Sequence, residues 1–378
     1  MARARTLMTV PLLAILMGLV VTGVIMILTS PLIDGSLDVA LPFRAYAALI
    51  EGSLGTPEQW LDRNFNAIIQ TLVEATPLIL AGLAVGLGFK AGLFNIGAQG
   101  QFLLGGLAAA VVGGLLADTS PWIAVPAALI AGLAVGAAYG FIPGALKAFT
   151  GAHEVVTTIM LNYIAIYIMA YLITGPLRDP TATFARTIDV GNAALPIIIG
   201  GRNGHIGILI AFLAVPIVWW LLYRSTLGFE IRAVGANPDA ARYAGMRPRY
   251  LIILTMSLSG LLAGLAGGIQ ILGLTKHMPI GYSTSLGFDA IAVALLGRSH
   301  PVGILLAALL FGAMRAGAGL MQVEAGIPVQ MIDLLQGVIL FFLAAEVVLR
   351  KWFRIRSATG GVPQETTVTR SYGGQTSI

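Results

Sequence analysis

The run Leu227 to Met246 holds the chain's most specific combination of side chains, and what it suggests is mechanical contact. Asn237 can cap the free amides of a helix that begins at Pro238, where a missing donor costs nothing. Asp239 places a favourable charge near that end. Ala241 and Ala244 offer a small flat face, and Gly245 ends the turn. With Glu230, Arg232, Gly235 and Arg242, the segment reads as two short helices along a membrane surface, which a motor subunit could push against. An ordinary interfacial helix in a basic loop accounts for the same residues, and both readings stand.

A second group lies at a broken span start. Asn95, Gln99 and Gln101 fall among Gly92, Gly97 and Gly100. Amides at a glycine-rich break can pair with the hydroxyls or ring nitrogens of a neutral solute. Phe94, Phe102 and Phe288 could supply an aromatic surface beside them. The competing reading, bonding between neighbouring helices, is the stronger on residue type. Glu74, Asp289, Arg315 and Asp333 lie in or beside apolar runs, where an ionised group is costly. Glu74 and Asp289 could line a path or gate; pairing with Arg315 is the favoured alternative.

Several chemistries are excluded. The chain has no cysteine, so thiolate metal sites and cysteine nucleophiles are absent. No histidine spacing suits zinc, and His277 and His300 are expected to be solvated in joints. No glycine-rich phosphate loop ending in Lys-Ser or Lys-Thr occurs, so the chain is not expected to hydrolyse ATP alone. No paired catalytic carboxylates converge, which disfavours a membrane-embedded enzyme.

The elements that position these residues are membrane spans. Charged residues make up only 10% of the chain and mean hydropathy is +0.88, far from the charged surface of a soluble protein. Apolar runs at 7–33, 67–89, 96–117, 122–146, 155–173, 206–223, 250–272, 286–296, 302–320 and 330–349 predict an all-α, polytopic membrane protein. About ten spans, with eight or nine possible, put both termini inside and the basic 224–249 loop on the same side. Only the outer stretch 175–204 runs against the charge pattern: Arg178, Arg186 and Arg202 face just Asp179 and Asp189. The net charge of +5 thus reflects topology, and no nucleic-acid partner is expected. Gly312, Gly317 and Gly319 form a small-residue face expected to pack helices, and Trp219, Trp220 and Tyr223 an interfacial belt. Leu87-Gly88-Phe89 returns as Leu286-Gly287-Phe288, with opposite sidedness, as an inverted internal repeat would have it.

The runs Gly235 to Gly245 and Gly92 to Gln101 resemble the permeases of bacterial ABC importers of the ribose and branched-chain amino acid class. The subgroup for general nucleoside or simple-sugar uptake is the most similar, through Asn95-Ile96-Gly97-Ala98-Gln99-Gly100. That resemblance implies residues 67–350 as a permease core with the 224–249 loop gripping an ABC ATPase. It implies residues 1–66 as an extra span with an external segment; the cytoplasmic 351–378 tail is expected to be disordered from its Gly-, Thr- and Ser-rich composition. It implies a second, non-identical permease, an external substrate-binding lipoprotein, and the bacterial cytoplasmic (inner) membrane. ATP and Mg would bind the partner ATPase, with no cofactor on this chain. Nucleosides are the implied cargo; a monosaccharide permease and an ion-coupled secondary transporter are the alternatives.

Overall fold

The computed structural model describes residues 2–31, 36–199, 203–282 and 285–345, with side chains from residue 9 onward. Asp34, Arg202 and the 351–378 tail lie outside them, so the expectation of disorder there is not addressed.

The first span is α1 (Ala2–Thr29), which no joint interrupts even though Pro11 sits inside it. Two short helices follow, α2 (Leu41–Leu54) and α3 (Pro57–Leu61). The core then runs α4 (Asn66–Lys90), α5 (Ala98–Leu115), α6 (Pro121–Thr150) and α7 (Glu154–Thr174). An outer stretch pairs β1 (Ile197–Ile199) antiparallel with β2 (Gly204–His205). After it come α8 (Gly207–Arg224), α9 (Thr226–Ala236) and α10 (Pro238–Tyr243). The chain continues as α11 (Pro248–Gln270), a π turn over Ile271–Thr275, α12 (Leu286–Leu296), α13 (Pro301–Ala325) and α14 (Gln330–Ala344).

Among the described residues, eight helices are long and apolar enough to cross a membrane, and α12 and α14 are shorter apolar helices. The polytopic all-α architecture therefore holds, while ten full-length crossings are not reached among the described residues. The β1–β2 ribbon adds a small sheet that no hydropathy reading foresaw, because its five residues are too few to stand out as a span.

Helix α4 is the hub, buried almost continuously from Val73 to Gly88. Its neighbours approach through small residues. On α13, a carbon added to Gly312 would lie 2.7 Å from the Ala75 amide of α4. One added to Gly317 would lie 2.1 Å from the Leu49 carbonyl of α2. Packing is thus the role of that face, although Gly319 meets nothing within 4 Å. α2 does not float outside: the Tyr46 hydroxyl donates to the Leu19 carbonyl at 2.6 Å, and the Thr71 hydroxyl to the Ser53 carbonyl at 2.7 Å.

A long glycine seam joins α6 to α11. A carbon added to Gly136 would sit 2.3 Å from the Gly260 carbonyl, one on Gly140 2.4 Å from the Met256 carbonyl, and one on Gly264 2.3 Å from the Gly132 carbonyl. Glycines four apart lie on one helix face, so backbone meets backbone at Gly132, Gly136 and Gly140.

Candidate functional site

The 224–249 loop folds as its residues dictate. The Ser225 hydroxyl accepts from the Gly228 amide at 3.0 Å and starts α9. The Asn237 side chain accepts from the Asp239 and Ala240 amides at 3.0 and 3.1 Å and starts α10, with Pro238 in its first turn. Gly245 takes φ +86°, a left-handed conformation that stops the helix and that side chains resist. Helix α10 presents Asp239, Arg242, Ala244 and Gly245 outward, along with Tyr243, which is 94% exposed. Ala241 faces the other way and is 4% exposed, so it anchors the helix instead of offering a free face. Glu230 and Arg232 are partly buried and, with Tyr223, Phe229 and Met246, line an open cleft of about 520 Å³ beneath α8 and α9. The Arg232 guanidinium stacks over Tyr223 at 5.1 Å, and the same ring meets His300 at 5.4 Å. His300 is therefore half-buried against an aromatic ring, where full solvation was expected.

The loop is docked on the joint between α4 and α5. Ile231, Val234, Ala241, Leu251 and Met256 share one buried cluster with Ala91 and Leu93 of that joint. Gly235 is the contact point. A carbon added to it would lie 2.3 Å from the Lys90 carbonyl, and one on Gly92 would lie 3.1 Å from the Gly235 carbonyl. Gly92 itself has φ +69°, which turns the chain out of α4.

Beyond the turn, the amides of the joint are used between helices. Asn95 Nδ2 donates to Gln101 Oε1 at 2.9 Å and to the Ser259 hydroxyl of α11 at 2.8 Å. Ser259 in turn donates to the Ala84 carbonyl of α4 at 2.7 Å. Gln99 Oε1 accepts from the Gly287 amide of α12 at 2.8 Å. Asn162 of α7 holds the joint from outside, accepting from the Gly100 amide at 2.8 Å and donating to the Ile96 carbonyl at 3.0 Å. Asn95, Gln99 and Gln101 are all buried, which is the interhelical arrangement. Phe94 stacks on Phe89 at 4.9 Å, Phe102 is buried, and Phe288 is exposed. Both Leu-Gly-Phe copies pack here: Gly88 against Leu93 and Asn95, Gly287 against the Gln99 backbone.

Within the bundle, Asp289 of α12 forms an ion pair with Arg315 of α13, and Arg315 also donates to the Ser285 hydroxyl at 2.9 Å. Glu74 of α4 accepts from Gln70 Nε2 at 3.1 Å and feels the charge of Arg315. The sequence thus names three charges that the fold does bring together. At the rim, Arg186 pairs with Asp179 at 3.5 Å. Hydrogen bonds from Thr181 hold the Asp179 carboxyl below its usual range, with Arg186 adding to them. That pairing is how one basic residue of the discordant outer stretch is balanced. No group of three or more metal-binding side chains occurs among the described residues.

Sequence reasoning passed over Tyr243, Asn162 and Ser259. An exposed aromatic in a basic loop is a readable signal for the first; the other two look like ordinary polar residues within apolar helices.

The family model described as branched-chain amino acid transport system / permease component matches residues 67–344. The chain is similar to the guanosine ABC transporter permease protein NupP of Bacillus subtilis, at 39% identity over 93% of this chain and 97% of that one. It is similar to the nucleoside ABC transporter permease protein NupB of Lactococcus lactis, at 36% over 90% and 91%. The glucose ABC transporter permease protein TsgB13 of Haloferax volcanii is 35% identical over 75% of this chain and 78% of its own length. A helical, multi-pass chain whose relatives at this coverage are transporter permeases is itself one: it belongs to the branched-chain amino acid transport system permease component family.

Proposed function

We propose that this chain is the transmembrane permease subunit of an ATP-driven importer that carries nucleosides into the cytoplasm. The observation that carries the cargo assignment is similarity along nearly the whole chain to permeases named for guanosine and for nucleosides. A monosaccharide is the second reading, favoured by the glucose permease relative. Membership of an ABC permease family leaves no support for ion-coupled transport.

In this reading α9 and α10 grip a separate ABC ATPase, which binds ATP and Mg. An external lipoprotein delivers the solute, and a second, non-identical permease completes the channel in the bacterial inner membrane, with both termini cytoplasmic. Residues 67–350 form the core and 1–66 the added span and outer helices. Closure of the ATPase displaces α10, and the Gly235–Lys90 contact passes that displacement to the joint carrying Phe94, Asn95, Gln99 and Gln101. The bonded amides there move the helices that they tie, while Glu74, Phe288 and Asp289 edge the outer half of the passage. Excluding bulk water from such a route requires the neighbouring helices to move together.

The test is uptake of radiolabelled guanosine, adenosine and uridine by cells carrying the complete system. Expected is uptake that requires ATP, survives collapse of the membrane potential and is competed by nucleosides. Competition by glucose, with none by nucleosides, transfers the assignment to the second reading.

A further inference from the structure

The free faces of the peripheral spans are not alike. On α1 the exposed stripe is Leu12, Leu16, Val20, Val24 and Leu28. On α8 it is Leu209, Leu213 and Ile217, with Trp220 near the end. These are surfaces made for hydrocarbon. Helix α7 exposes apolar residues too, Val156, Met160, Ile164 and Ile168, but sets among them Tyr163, Tyr167 and Tyr171, at 57%, 72% and 71%. The spacing of four places their hydroxyls along one face.

Depth makes the difference decisive. α7 runs from Glu154 to Thr174, so Tyr171 lies about 5 Å from the helix end, where a tyrosine belt is ordinary. Tyr163 lies roughly 14 Å from one end and 17 Å from the other, beyond the reach of its own side chain to either interface. Tyr167 is about 10 Å in. Acyl chains offer a phenolic hydroxyl no partner, and an unpartnered hydroxyl in such surroundings is unfavourable. Water, solute or protein must therefore meet this face.

The back of α7 is tied to the machinery already described. Thr158, Asn162, Ala165, Met169 and Ile173 are buried, and Asn162 clasps the α5 side of the break between α4 and α5 through Ile96 and Gly100. A displacement of that joint therefore carries α7 with it.

We propose that the tyrosine face of α7 is a further wall that this chain contributes to the solute passage, the facing wall coming from a second permease subunit. The inference rests on the importer reading above and adds to it the surface that the solute meets. Phenol rings give a base-tolerant stacking surface, and hydroxyls alternate as donors and acceptors for sugar and base as the solute advances.

The chain's lack of cysteine allows a test that does not depend on cargo identity. Tyr163→Cys and Tyr167→Cys are introduced singly into the full transporter, with Ile217→Cys at mid-depth on α8 as the lipid-facing reference. A charged, water-soluble methanethiosulfonate is applied with and without ATP. Reaction of both introduced thiols at least tenfold faster than the reference, in at least one nucleotide state, is expected. Rates no faster than the reference in both states overturn the proposal. Failure of nucleoside uptake with fast labelling would sink the cargo assignment and leave this wall standing.

Discussion

Gly235 lies so close to Lys90 that one methyl group on it would come within 2.3 Å of the Lys90 carbonyl oxygen. Neither side of this contact can yield easily, since both are backbone. Gly235→Ala should lift α9 off the joint, at a cost of about 1–3 kcal/mol from overpacking. Uptake should fall at least tenfold while the ATPase still co-purifies, because α10's outer face is untouched. Normal uptake by reconstituted Gly235→Ala transporter would show that motion does not pass through this point.

The outer face of α10 can be tested separately. Tyr243 is an aromatic knob with almost no contact to its own chain, the type of residue that dominates interfaces. Tyr243→Ala should weaken ATPase binding by tenfold or more, read as loss of the subunit during purification, with membrane insertion unchanged. Ala244→Trp should do the same by steric block. Ala241→Trp would fail for a different reason, by expelling α10 from the cluster with Ala91 and Leu93.

These contrasts show what residue order reveals and what it hides. The spans were readable because lipid demands long apolar runs, and the cap of α10 because Asn237 acts within three residues. The amide network was not. Asn95 meets Ser259 across 164 residues and Gly100 meets Asn162 across 62, and no local pattern reports such partners. Glycines every four residues on α6 advertise a close approach, yet only the fold names α11 as the neighbour. The Asp289–Arg315 pairing was legible because few charges inhabit the spans.

Removing Arg315 leaves Asp289 and Glu74 without their cation. Arg315→Ala should destabilise the protein by about 3 kcal/mol, the lower end for breaking a buried pair, because both partners keep some exposure. Asp289→Asn combined with Arg315→Gln should recover most of the loss. Thermal unfolding in detergent distinguishes the two outcomes, and an equal loss in the double variant would refute pairing as the main role.

The joint's amides should behave as a unit. Asn95→Ala and Ser259→Ala each strand a buried partner and should cost about 1–3 kcal/mol. The double variant should cost less than their sum, since the shared bond is lost only once. Strict additivity in the unfolding midpoints would mean that the two residues act independently.

His205, on the β1–β2 ribbon, supplies a pH test. It is buried between Gly207 and Gly273, its Nδ1 has no partner among the described residues, and burial pushes its pKa down to about 4. The unfolded chain, with an ordinary value of 6.5, binds the proton more readily. Stability should therefore be full above pH 6.5 and decline toward pH 4, by about 3 kcal/mol at most. His205→Leu should flatten that part of the profile; an unchanged pH dependence of unfolding would assign it elsewhere.

The bare-backbone contact of α6 with α11 limits how this molecule can bend. Two rods joined without intervening side chains have no cushion to shear across, so they must travel as a single plank. Whatever rearrangement admits a solute has to be absorbed by the looser timbers around that plank.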